Sequence, residues 1–389
     1  MRTLILLFAA LGLSHFVLAD TNDDARAQAA RHYPVVVHAA YVDALGGAEY
    51  LQGCVQKFCS QPDEAGLRAC REAWRRARQP YCTTETFRFY GGPIDDENGP
   101  EGLMNSWPVD ESWLESSAEG RGIIEDETTY PEITVAVLRA ANQKDGEKNV
   151  ASGWHAIEFL LWGRDESAEG PGARPLTDFT TAPFAARRLA ALAALTQSMV
   201  EHLEYLAKAW EVQEDGGNYE AAFVQLNAGE AVKRMLTGLI FLSGQEMAGE
   251  RLNVALETRD QEDEQSCFSD NTTQDMRNNL CGLRMVWDGS YESAFIAEND
   301  VSGPGLRVAC VALDPALAEA VDKALATCTA LAATLPTPFD QAVQGKDDSH
   351  GRRMYQEMRA ELEILSGLFQ DMADKMSLQI ANGAAFYNG

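Results

Sequence analysis

The sequence has little positive charge and almost no strand pattern. Its 32 lysines and arginines stand against 59 aspartates and glutamates, a formal charge of -27. Such a field repels nucleic acid and anionic membrane and favours cationic partners, so nucleic-acid binding is set aside. Alternation of apolar and polar residues is nearly absent, which argues against a sheet-based fold. There is no HExxH, no GxSxG elbow, no Walker loop and no GxGxxG after a strand, so the common zinc-peptidase, serine-hydrolase and nucleotide-binding readings lack their motifs. No CxxC pair supports a zinc-thiolate site. Beyond the N-terminus no apolar run reaches the roughly 18 residues that a membrane span needs.

What is present begins with an export signal over residues 1–19. Arg2 supplies the charge, Leu4 to Leu13 the apolar run, and Val17-Leu18-Ala19 the small-residue cleavage site before Asp20. A periplasmic product cleaved near Ala19 is expected, without a lipid-bearing cysteine at its new N-terminus. The cysteines fall in two groups, Cys54, Cys59, Cys70 and Cys82, then Cys267, Cys281, Cys310 and Cys328. In an oxidising compartment these are expected to form disulfides within each half.

Helical period dominates the rest. Val35, Val36, Ala39 and Val42 mark one helix, broken at Gly46-Gly47; Leu67, Cys70, Trp74 and Tyr81 mark another, kinked at Pro80. Leu189, Leu192, Thr196, Met199, Leu203, Leu206 and Trp210 form a bundle seam. The expected architecture is all-α: an N-terminal helical bundle over residues 20–185 and a C-terminal one over 186–389, about four helices each. Between Gly91 and Thr129 runs a long irregular segment rich in Gly, Pro, Asp and Glu. A loop of that length in a compact domain is usually functional or disordered, and its Ile94, Leu103, Met104, Trp107 and Trp113 favour a packed loop that covers something.

The stretch Asn149 to Asp165, NVASGWHAIEFLLWGRD, is apolar almost all the way round when drawn as a helix. Inside it His155 and Glu158 lie three apart on one face. Unsatisfied, they would cost several kcal/mol. The spacing alone suits a satisfied core pair as well as a metal site. The apolar setting favours the metal, as does Gly153, whose place in a helix suggests close approach of a ligand, a loop or a helix. Inward-facing Glu and His three apart build carboxylate-rich iron and manganese sites in bundles, and imidazole with carboxylate suits iron. Further ligands must come from elsewhere. In SGQEMAGERL, Glu246 and Glu250 share a helix face beside Arg251 and could receive a cation. Arg88, in TFRFYGG, can hold a carboxylate in bidentate fashion. In EDEQSCFSDNTTQD, Ser269 or Asp270 reads chiefly as an N-cap.

These segments together resemble the imelysin-like family. Gly153-Trp154-His155-Ala156-Ile157-Glu158 resembles its GxHxxE motif, and FRFYGGPIDDENGPEGLMNSWPVD, GPGARPLTDF, SGQEMAGERL and SCFSDNT resemble its iron-regulated subgroup in the same order. The resemblance implies an exported protein of two helical bundles linked to bacterial iron uptake. A metal ion or metal chelate would bind where the domains meet, iron favoured over zinc or copper, with a transport component of the envelope as a further partner. The site would centre on His155 and Glu158, with Arg88, Gly153, Glu246, Glu250 and Arg251 around them. Members of the subgroup resemble HSCFSDNTH, whereas this chain has Gln265 and Thr273 at the histidine positions. The alternatives are a metal-dependent endopeptidase, after the family's historical label, and a protein-interaction module without metal.

Overall fold

Helices carry the chain, as the periodicity predicts. The computed structural model describes residues 2–116, 121–167, 169–214 and 216–380, with side chains from Asn22 onward. The expected export signal, residues 1–19, lies outside the residues whose side chains are described. The main helices are α1 (Arg2–Ser60), α2 (Glu64–Thr84), α3 (Val135–Ala141), α4 (Trp154–Trp162), α5 (Ala185–Trp210), α6 (Ala228–Ile240), α7 (Thr272–Asp288), α8 (Leu306–Leu313), α9 (Pro315–Thr334) and α10 (His350–Lys375). The strand content among the described residues is one two-residue ribbon, Ser290–Tyr291 against Val301–Ser302. No described helix is long and apolar enough to cross a membrane.

Two boundaries differ from the expectation. Helix α1 runs straight through Gly46-Gly47. A Cβ at Gly47 would stand 3.1 Å from the Ala77 Cα, so that glycine lets α2 lie close instead of breaking α1. Helix α2 keeps to the expectation, passing Pro80 and ending at Thr84, its start capped by Asp63, which accepts from the Gly66 N–H. The second concerns the helical period that runs in the sequence from Tyr219 toward Leu256. It is divided, and Phe241–Asn253 winds as a π-helix.

Helix α1 packs along α2 and α5, α10 packs along the π-helix and α9, and α2 lies against α7. The buried apolar side chains form one contiguous cluster. The irregular segment after Gly91 is packed, as expected: Ile94, Met104, Leu114, Ile123 and Ile124 are all buried.

The cysteines differ from the expectation. All eight are free thiols. Cys82 is buried in a polar network, its Sγ 3.4 Å from Asp275 Oδ1, and Cys59 donates to the Leu189 carbonyl at 3.6 Å. The sequence has no signal for such individual thiol partners.

Asp43, on α1 and fully buried, went unnoticed in the sequence because it reads as one more acidic residue. It organises the turn after Tyr291, accepting from Tyr291 Oη and the Ala294 and Phe295 N–H groups, each at 2.8 Å, and from Ser293 Oγ. Removing it strands several buried donors. Asp43→Ala is expected to cost about 3 kcal/mol in urea denaturation; a loss below about 1 kcal/mol would show that water replaces the carboxylate.

Candidate functional site

Helix α4 is shorter than the periodicity implies, because Gly153 is its N-cap and not an interior residue. Gly153 has φ +90°, and a Cβ there would overlap the Met104 carbonyl. The close approach expected at this glycine is therefore made by the covering loop. Gly163 closes the helix at φ +75°. Gly153→Ala combines left-handed strain with that overlap and is expected to destabilise by about 2 kcal/mol, read by thermal unfolding.

The nine residues between are all buried, and both ionisable groups among them are met by partners. His155 Nδ1 lies 2.9 Å from Glu158 Oε2. The other oxygen, Glu158 Oε1, accepts the Ser269 N–H at 2.9 Å and its hydroxyl at 2.6 Å. Arg78 Nη2 faces His155 Nε2 at 3.5 Å. A guanidinium can only donate, so Nε2 is the acceptor and Nδ1 carries the proton toward Glu158. Burial, then the charges of Arg78 and Arg251, hold His155 well below its ordinary pKa. The imidazole is therefore neutral at pH 7.

Arg78 is the residue on which this network turns. Fully buried, it bonds Asp275 through Nε at 3.0 Å and Asn105 Oδ1 through Nη1 at 2.6 Å. Its guanidinium lies over the rings of Trp74, Tyr81 and Trp154. Asp275 also accepts from Ser266 Oγ at 2.6 Å and Asn271 Nδ2 at 2.8 Å. The charge is thus compensated and the remaining lone pairs are used, the condition for tolerating a buried ion pair.

Asn105 opens onto a polar cavity of about 400 Å³ lined by Arg88, Glu101, Gln143, Glu147, Glu246, Glu250, Arg251 and Gln265 among others. Here the π-helix matters. Its register places residues five apart side by side, so Glu246 pairs with Arg251 at 3.1 Å and Gln245 bonds Glu250 at 3.3 Å. An α-helical reading joins Glu246 to Glu250 instead. Arg251 also pairs with Glu85 and bonds Asn279 Oδ1 at 2.8 Å. Arg88 reaches Glu101 at 3.0 Å, Glu85 at 3.5 Å and Glu246 at 3.9 Å, bridging several carboxylates where the sequence suggested one. Burial would raise the Glu85 carboxyl, but Arg251, Arg78 and Arg88 hold it down to about 2. Glu250 makes no ion pair among the described residues; burial and then Glu246 push its carboxyl up, against the weaker pull of Gln245, Arg251 and Arg88.

The comparisons with known proteins bear on this arrangement. The family model described as Imelysin matches residues 37–365. The chain belongs to the imelysin family. Iron-regulated protein A of Synechococcus elongatus is 28% identical over 315 residues, covering 78% of this chain and 74% of that protein. A crystal structure described as an iron-regulated protein A precursor, from Parabacteroides distasonis, superposes with a TM-score of 0.68 at 18% identity, covering 90% of this chain and 95% of that one. An imelysin-like protein from Psychrobacter arcticum superposes at 0.61 and 15% identity, covering 92% and 98%. At these identities the two structures speak for the fold alone.

On this imelysin scaffold the residues singled out in the sequence fall into two neighbouring groups. Arg88, Glu246, Glu250 and Arg251 converge on the cavity, while His155, Glu158 and Gly153 lie behind it in the buried core. Direct ligation by His155 requires Nε2 to give up Arg78 or Nδ1 to give up Glu158. Among the cavity carboxylates Glu101 and Glu246 share oxygens with Arg88 and Arg251, whereas Glu250 is held, among the described residues, only by the neutral Gln245. Ser269 does not cap α7; it donates twice to Glu158. Thr273 bonds Tyr355 Oη at 2.6 Å, and Gln265 lines the cavity. Arg78 and Asp275 were missed. Arg78 continues the apolar stripe Leu67, Cys70, Trp74, and a lone arginine on such a stripe was the available signal.

Burial pushes the Glu158 carboxyl up to about 8, against the pull of the Ser269 hydroxyl and Arg78. Its ordinary value is 4.5, so between those values the folded state holds a proton that the unfolded chain has released; in that form Oε1 donates to the Ser269 hydroxyl oxygen, which then accepts instead of donating. Stability therefore falls as pH rises through this window. Histidines no longer oppose the trend above about pH 6.5. From pH 6.5 to 8 a loss of about 2 kcal/mol is expected from Glu158. Urea denaturation at the two pH values checks it: Glu158→Gln should remove about that share of the loss and leave the part due to Glu262, Glu264 and Asp270, whose carboxyls burial also pushes up.

Proposed function

We propose that this chain is an iron-linked binding protein that takes a metal ion or a small metal chelate into the polar cavity. His155 and Glu158 serve as its buried support. The observation that carries the reading is convergence: Arg88 and Glu101, the π-helix cluster of Glu246, Glu250 and Arg251, and Asn105 all line one cavity. The same Arg78 that holds Asn105 faces His155. Oxygen donors of Glu101, Glu147, Glu246 and Glu250 suit a hard or borderline cation. The two arginines suit the carboxylate or hydroxamate oxygens of a chelator.

Iron enters because the Synechococcus relative is named for iron regulation. The export signal read in residues 1–19 would deliver the protein to the periplasm, where an envelope iron-transport component could receive the cargo. Binding without turnover fits Glu158, which has no solvent exposure and both oxygens engaged.

Isothermal titration of the chain beginning at Asp20 tests the proposal with ferrous iron, ferric citrate, zinc and copper. Saturable binding of an iron form at one site per chain is expected; no heat from any of them overturns it. Arg88→Met separates the two cargoes. It should weaken ferric citrate and leave ferrous iron unchanged or tighter.

A further inference from the structure

A second group of carboxylates lies outside this cavity. Glu264 follows the turn Gln261–Asp263, Asp270 sits in the loop before α7, and Asp340 lies on the short helix Phe339–Gln344. One oxygen from each falls within 4.8 Å of the others. A cluster of acids is common on a surface, but this one is not there. Glu264 and Asp340 have no solvent exposure at all. Neither oxygen of Glu264 accepts a hydrogen bond, nor do Asp340 Oδ2 and Asp270 Oδ1; the Thr272 hydroxyl approaches Glu264 without hydrogen-bond geometry.

A fully buried carboxylate with both oxygens unpartnered, as Glu264 has, is costly; Asp340, whose Oδ1 accepts the Gln341 N–H at 2.6 Å, and the half-buried Asp270 add repulsion. Asp165 adds negative charge nearby, with Arg75 the cation that faces Asp270. A cation supplies what the protein does not. The donor set is oxygen alone, which selects a hard ion over copper or zinc. Separations within 4.8 Å admit either ion; three directly bound carboxylates suit calcium, which takes about six to eight oxygen ligands, over magnesium, which retains most of its water.

We infer that Glu264, Asp270 and Asp340 form a structural site for a hard divalent cation of calcium size, separate from the iron-linked cavity. It ties the SCFSDNT loop, which holds Glu158 through Ser269, to the chain between α9 and α10. Its role is to fix the loop behind the cavity.

Thermal unfolding of the full chain with calcium, magnesium or manganese chloride, after chelator treatment, tests the inference. Calcium is expected to raise the midpoint by several degrees, more than magnesium does. Asp340→Asn should lower calcium affinity at least tenfold while leaving the metal-free midpoint unchanged or higher, since it removes a repelling charge. A local readout guards against a folding artefact. Trp107 Nε1 donates to the Glu264 carbonyl at 3.1 Å, so bound terbium should luminesce on tryptophan excitation and calcium should quench it. No calcium response in the wild type overturns the inference, and so does an undiminished response in both Asp340→Asn and Glu264→Gln. A metal-free gain in the variants without any cation response means that the cluster holds protons only, which also overturns it. Glu250→Gln must leave the calcium response intact, and Asp340→Asn must still titrate with iron, so the two sites fail independently.

Discussion

Arg78→Met is expected to lower stability by about 3–5 kcal/mol, the cost of breaking a fully buried ion pair by removing one partner. Asp275 would keep its donors from Ser266 and Asn271 but lose the charge that compensates it. Asn105 Oδ1 would lose its short bond, and three aromatic rings would lose the guanidinium they enclose. Arg78→Lys retains the charge without the planar fork and should fall between. The double variant Arg78→Met/Asp275→Leu should recover part of the loss, because removing both charges abolishes the unpaired one. Urea denaturation followed by circular dichroism measures all three. A single-variant loss under about 1 kcal/mol would mean that the network is not what holds α2, α4 and α7 in place.

Glu250→Gln is expected to weaken iron binding at least about tenfold, or 1.4 kcal/mol, while leaving the fold intact. Glu246 pairs with Arg251 and lies 3.9 Å from Arg88, whereas Glu250 bonds only the neutral Gln245 among the contacts described. Burial beside Glu246 disfavours its charge when no cation is bound, so the amide should then be neutral or slightly stabilising. A cation reverses that balance by drawing both carboxylates toward itself. The variant thus separates binding from stability, which substitution of Arg251 cannot do because Arg251 also holds Glu85 and Asn279. Unchanged affinity would remove Glu250 from the binding set.

The all-helical class and the packed covering loop were legible because each follows from local pattern: period and turn residues. The convergence of Arg88 with Glu246, Glu250 and Arg251 was legible only through the family resemblance. The register of that cluster was not. Phe241–Asn253 has α-helical periodicity on paper, and only tertiary packing, with a Cβ at Gly244 falling 2.5 Å from Ser366 Oγ, accompanies the π winding that pairs residues five apart. Long-range partners were equally hidden. Nothing near His155 in the chain announces Arg78 or Ser269, 77 and 114 residues away, and Glu264, Asp270 and Asp340 are joined by the fold alone. The cysteines teach the converse. Their grouping suggested disulfides, yet seven thiols sit where their own helices place them and Cys267 lies in the turn before α7.

The most direct test of the central claim is anomalous diffraction at the iron edge from crystals of the full chain soaked with ferrous iron or ferric citrate. A peak within the cavity, bounded by Glu101, Glu246 and Glu250, is the predicted result. A peak on His155 Nε2 with Arg78 displaced, or no iron in the cavity at saturating concentration, would contradict it.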